Sequence, residues 1–144
     1  MRVLVADGQA GIRKRVCLTL ASLIALDVCD EAANGQEAVE RAAESKPDLI
    51  ILDVTMPVMN GLDAARKIRA FSPLTPILIL TMHKSRQLME EARRIGVQGY
   101  VVKADAGQSL GSAVSAIMQS QTFFPPSSDA LRSDLFSMAA MSIV

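Results

Sequence analysis

Tryptophan is absent, and aromatic residues make up only 3% of the 144 positions. No indole is available to anchor a sugar or a base, and the core must be built from Val, Ile, Leu, Ala and Met, within an apolar share of 50%. Net charge is lacking too: Lys and Arg number 15, Asp and Glu 15. That balance argues against a broad electrostatic footprint for DNA, RNA or acidic lipid, so no nucleic acid is expected to bind this chain alone. Long apolar runs are missing. The four-residue run in MRVLVAD is too short for a secretory signal core, and nothing approaches a membrane span. Cysteine is scarce. Cys17 and Cys29 have no metal-ligand spacing and sit among apolar neighbours, which reads as two buried free thiols of a cytoplasmic protein.

What is present is regular. A chain of this length fits one domain and should bury roughly two-thirds of its unfolded surface. Short apolar runs at 3–6, 28–32, 49–52, 77–80 and 100–102 alternate with amphipathic stretches. In the first stretch Ile12, Val16, Leu20, Leu23 and Ile24 recur at helical spacing, with Arg13, Lys14 and Arg15 read as its solvated face. Asn34-Gly35 signals a turn, and Ala38, Val39 and Ala42 mark a helix that stops before Pro47. Gly61 opens another helix with Ala64, Ala65, Ile68 and Phe71. Leu88, Met89, Ala92 and Ile95 mark the next, and Leu110, Ala113, Val114, Ile117 and Met118 the last. Five strand–helix units in strict alternation predict a doubly wound parallel α/β sheet, order 2-1-3-4-5, helices on both faces, flavodoxin-like. Residues 1–122 form this unit. Residues 123–144 are expected to be a linker and a short helix or tail, with Leu131, Leu135 and Met138 at helical spacing.

Polar residues stand where the strands end: Asp7, Asp53, Thr81 and Lys103. One such residue alone is an ordinary strand end meeting solvent. Four should converge at the rim where such folds bind ligands. A carboxylate such as Asp53 can attack phosphorus and form an acyl phosphate. Phosphoryl transfer needs charge neutralisation and alignment more than covalent help. Lys103 offers a point charge, Thr81 a hydroxyl, and Asp7 a ligand for Mg²⁺.

The segment Leu52-Asp53-Val54-Thr55-Met56-Pro57-Val58-Met59-Asn60-Gly61 resembles the phosphoacceptor motif of response-regulator receiver domains. Leu80-Thr81-Met82-His83 and Gly99-Tyr100-Val101-Val102-Lys103 match that family's switch segments in order and spacing, with wording most similar to the NarL/LuxR-type branch. The resemblance covers residues 1–122. It implies that Asp53 accepts a phosphoryl group from a sensor histidine kinase, that Lys103 pairs with it, and that Thr81 and Tyr100 form the switch. It further implies that Asp7, Asp53 and the Thr55 backbone carbonyl hold Mg²⁺, and that Thr55 and His83 tune dephosphorylation. Apart from the resemblance, His83 reads as a solvated loop residue and Tyr100 equally as a core aromatic.

Two departures stand out. The family usually has adjacent acids after the first strand; here the pair is Asp7 and Gly8, which predicts weakly bound Mg²⁺. Ala104 replaces a frequent proline. The alternative is therefore a phosphorylation-independent pseudo-receiver, a binding module. A haloacid-dehalogenase-like phosphatase would need a second Asp where Thr55 stands. A dinucleotide fold would need more glycine than Asp7-Gly8-Gln9-Ala10-Gly11 supplies. Members of the resembling branch often carry a helix-turn-helix domain, for which the 16 residues after Ser128 are too few, so a free-standing receiver or a piece of a longer regulator is expected. A homodimer or an output domain is the expected downstream partner, and no enzyme activity beyond self-dephosphorylation is expected.

Overall fold

The computed structural model describes residues 1–126. The tail helix expected around Leu131, Leu135 and Met138 lies outside the described residues. The elements run β1 (Arg2–Ala6), α1 (Ala10–Leu23), β2 (Val28–Ala32), α2 (Gly35–Ser45), β3 (Leu49–Leu52), α3 (Gly61–Phe71), β4 (Ile77–Thr81), α4 (Arg86–Ile95), β5 (Gly99–Val102) and α5 (Ala106–Met118). A single 3-10 turn, Lys103–Asp105, joins β5 to α5. The five strands form one parallel sheet in the order β2-β1-β3-β4-β5, as expected from the alternation.

Side chains of a strand point alternately to opposite faces, and two apolar layers follow from that period of two. Leu4, Ile50, Leu52, Ile77 and Ile79 face α2, α3 and α4, which contribute Ala38, Ala42, Ala65, Ile68, Met89 and Ala92. Val3, Val5, Leu49, Ile51, Leu78 and Leu80 face the other way, onto Val16 and Leu20 of α1 and Leu110, Ala113, Val114 and Ile117 of α5. The central strands β3 and β4 are buried along their whole length, as their unbroken apolar runs require. Three helix starts are capped by side chains: Asn34 accepts from the Glu37 amide, Asn60 from the Asp63 amide and Ser85 from the Leu88 amide. Each satisfies an otherwise orphaned amide and fixes where the chain turns from rim to helix.

Two expectations are corrected. Cys17 and Cys29 are not free thiols but form a disulfide, Cα to Cα 6.0 Å, joining α1 to β2. Their apolar neighbours signalled burial. Pairing depends on α1 lying across β2 so that the two residues face one another, which local composition does not encode. Arg13, read as part of a solvated face, is instead mostly buried and ion-paired with Glu31 of β2 at 2.9 Å. The chain after α5 also turns back along the free edge of β5. The Tyr100 amide donates to the Phe123 carbonyl at 2.8 Å, and the Phe123 amide donates to the Gln98 carbonyl at 2.9 Å.

Candidate functional site

The rim at the carboxyl ends of β1, β3 and β4 carries the three buried polar residues found among the described residues: Asp7, Asp53 and Thr81, at 3%, 7% and 0% exposure. Backbone bonding places the two acids. The Asp7 amide donates to the Ala32 carbonyl at 3.1 Å and the Asp53 amide to the Ala6 carbonyl at 2.9 Å, so each continues the parallel ladder one residue past its strand. Lys103, in the turn after β5, lies between them, its Nζ 2.7 Å from Asp7 Oδ2 and 3.0 Å from Asp53 Oδ2. The rim thus brings Asp7, Asp53 and Lys103 into contact, with Thr81 at the carboxyl end of the neighbouring strand β4.

The remaining bonds hold the acids in place. Asp7 Oδ1 accepts from the Gln9 amide at 2.8 Å, and Arg13 Nη1 donates to the Asp7 carbonyl at 2.7 Å. Burial works against the Lys103 ammonium. Its hydrogen bonds to Asp7 and Asp53, and their charges, outweigh that and hold its pKa above the ordinary lysine value. Two buried carboxylates share one cation, an excess of negative charge that a further cation would relieve.

The loop from Asp53 to Gly61 is shaped by close backbone approach. The Gly61 amide donates to the Val54 carbonyl at 2.8 Å, and a Cβ at Gly61 would sit 1.9 Å from the Asp53 carbonyl oxygen. The Gly35 amide donates to the Met59 carbonyl at 3.1 Å. Between them exposed Val58 adopts φ +68°, a left-handed conformation costly for a β-branched side chain. Gly8, in contrast, has no positive φ, and a Cβ there would meet only Pro57 Cδ at 3.6 Å. Neither the backbone nor space demands glycine at the position where the resembling family carries its second acid.

Thr81 is fully buried, and its hydroxyl accepts from the His83 amide at 3.4 Å. His83 is exposed, as its loop position suggested, but is not isolated: its Nε2 lies 3.2 Å from Thr55 Oγ1, so the two residues expected to flank the rim touch. Tyr100 is fully buried, and its hydroxyl donates to the His83 carbonyl. Burial of the phenol raises its pKa to about 12; the Asp53 charge adds a smaller push in the same direction.

Sequence reasoning missed what backs Tyr100. Phe124 stacks against it, ring centroids 6.2 Å apart and planes at 23°, and the Arg93 guanidinium of α4 lies 4.0 Å above the Phe124 ring. The signal was a Phe-Phe pair shortly after the last helix, in a chain with four Phe in all. The supporting role of Arg13 had no local signal.

Comparisons with known proteins agree with the geometry. The response regulator receiver domain family matches residues 3–115. The chain is 34% identical over 127 residues to the oxygen regulatory protein NreC of Staphylococcus carnosus, covering 88% of this chain and 58% of that protein. It is 44% identical over 105 residues to the transcriptional regulatory protein PdtaR of Mycobacterium tuberculosis, covering 71% and 49%. This chain therefore spans roughly half of the length of these relatives. A two-component response regulator of the LuxR family from Aurantimonas sp. superposes with TM-score 0.83 at 28% identity, covering 96% of this chain and 97% of that one. The chain belongs to the response-regulator receiver domain family of two-component signalling, with relatives of the NarL/LuxR type.

Proposed function

We propose that Asp53 is the phosphoacceptor of this receiver and that a sensor histidine kinase is the donor. A carboxylate oxygen of Asp53 attacks phosphorus, the P–N bond of the phosphohistidine breaks, and the imidazole leaves with its electron pair and is protonated. Lys103 neutralises the phosphoryl charge. Thr81 turns its hydroxyl toward a phosphoryl oxygen, and Tyr100, already buried with its hydroxyl on the His83 carbonyl, is the inner half of the switch. Thr55 and His83, in contact at the mouth of the site, set how readily water reaches the acyl phosphate, so any turnover is self-dephosphorylation. The observation that carries the reading is one ammonium shared by two buried carboxylates, Asp7 at the end of β1 and Asp53 at the end of the central strand β3.

Mg²⁺ would be held by Asp7, Asp53 and the Thr55 backbone carbonyl, and would supply positive charge for phosphoryl oxygens. The two converging carboxylates fit that ion. Gly8 withdraws one anion from the set, so binding is weak. The receiver unit acts in the cytoplasm; its strand–helix repeat spans residues 1–122, Phe123 and Phe124 pack onto it, and an output domain or a second copy is its downstream partner. Nucleic acid is not bound by this chain alone, nor is a membrane. Among the described residues no helix is long and apolar enough to cross one.

Treatment with a small phosphodonor and Mg²⁺, followed by intact mass, tests the reading. One phosphoryl mass on the parent and none on Asp53→Asn is expected, and equal labelling of both overturns it. Gly8 supports a second reading, a phosphorylation-independent pseudo-receiver. A parent that never labels at any Mg²⁺ concentration, while Gly8→Asp does, would favour it.

A further inference from the structure

Helix α1 is thinly anchored. Of its 14 residues only Val16 and Leu20 are buried, its N-cap Gln9 makes no side-chain bond, and it lacks an acid in its first turn and a base in its last. Leu18 and Leu23 face solvent. Two cross-links to β2 supplement that seat: the disulfide Cys17–Cys29 and the ion pair Arg13–Glu31. Positions 13 and 17 lie one helical turn apart on one face, and 29 and 31 on one face of a strand, so the links stand side by side. Arg13 also donates to the Asp7 carbonyl, and Asp7 in turn holds the Gln9 amide and Lys103. A bond at Cys17 thus fixes the helix that places Arg13 on the acid loop.

We propose that Cys17 and Cys29 form a reversible thiol–disulfide site through which a small-molecule disulfide sets how firmly the Asp7 loop is held. Both cysteines are partly exposed, so a reagent of this size has access. One thiolate attacks the reagent's sulfur and releases a thiol. The second then attacks the mixed disulfide and releases another, so the cysteine pair gives two electrons and the reagent is reduced to two thiols. A dithiol reverses both steps. In a reducing compartment such a bond is transient and sensing rather than architectural. Oxidation seats α1 and preorganises the rim; reduction leaves α1 on Val16, Leu20 and the partly buried Ile12, with Arg13 bonded to Glu31 and the Asp7 carbonyl.

The test uses the full chain equilibrated in oxidised or reduced glutathione, with N-ethylmaleimide trapping and intact mass to count thiols. Amide exchange at Gln9 and phosphodonor labelling of Asp53 are then measured in both states; the labelling arm rests on the phosphoacceptor reading. The oxidised chain should take no maleimide, exchange Gln9 more slowly and label roughly threefold faster or more, since small misplacements of aligned groups cost rate. Joint replacement Cys17→Ser and Cys29→Ser should behave as the reduced chain in both buffers. Should that variant not fold, chemical reduction of the parent gives the same comparison. Two maleimides in both buffers overturn the inference. So does a disulfide that forms without changing either Gln9 exchange or labelling. Slower Gln9 exchange with no labelling in either state supports the redox inference and defeats the Asp53 reading instead.

Discussion

Tyr100 and Phe124 stack across the edge of β5, so a residue of the segment that follows α5 is packed on the inner half of the proposed switch. Phe124 covers one side of the Tyr100 ring, and the Arg93 guanidinium lies over Phe124 in turn. The segment leaving the domain and the phosphoryl rim are thereby joined through one phenol, whose hydroxyl donates to the His83 carbonyl.

Phe124→Ala should lower the Tyr100 titration from about 12 toward the ordinary 10.0, because burial is the main cause of the rise. With one Tyr and no Trp, tyrosinate absorbance reads this residue directly. The sign for stability follows. The folded phenol keeps its proton where the unfolded one has lost it, so its contribution is complete below pH 10 and is lost as pH rises toward 12. Denaturant midpoints should fall across that window in the parent, and less in the variant. An unchanged titration would mean that Phe124 does not keep water from the phenol.

Gly8→Asp should bind Mg²⁺ more tightly and label faster. One added anion at about 4 Å is worth up to roughly 4 kcal/mol at an effective dielectric of 20 before desolvation and screening reduce it. A gain of one to a few powers of ten, about 1.4 kcal/mol each, is therefore expected. The site has room, since the new Cβ meets only Pro57 Cδ at 3.6 Å. Isothermal titration of Mg²⁺ into both proteins checks this, and equal affinities would refute the missing-ligand argument.

Thr81→Ala should still accept the phosphoryl group while losing most of the conformational response, because a hydroxyl that can be drawn to the phosphoryl oxygen is what favours one conformer. Amide shifts in α4 on labelling report the response. Shifts in the variant equal to the parent's would contradict the role.

Gly61→Ala should destabilise the fold by about 1–3 kcal/mol, toward the upper end, as overpacking against rigid backbone does. Its Cβ would sit 1.9 Å from the Asp53 carbonyl, so the damage falls on the backbone of the proposed acceptor. Slower labelling should accompany the lower denaturant midpoint. Gly8→Ala, whose Cβ has space, should cost little, which separates the two glycines.

Alternation of buried runs with helical stripes signalled a doubly wound parallel sheet with two apolar layers, and right-handed crossovers left few strand orders, among which 2-1-3-4-5 was the one expected. Strand ends determined the rim. Asp7, Asp53, Thr81 and Lys103 were legible because in a parallel sheet every strand's carboxyl end lies on one side, whatever the details of packing. Only tertiary structure decided the rest. Cys17 meets Cys29, and Arg13 meets Glu31 and Asp7, because α1 crosses β2 at one particular placement. Phe124 meets Tyr100 because the chain turns back after α5. Contacts of this kind depend on how two elements are docked, while a sequence pattern records only which face each element buries.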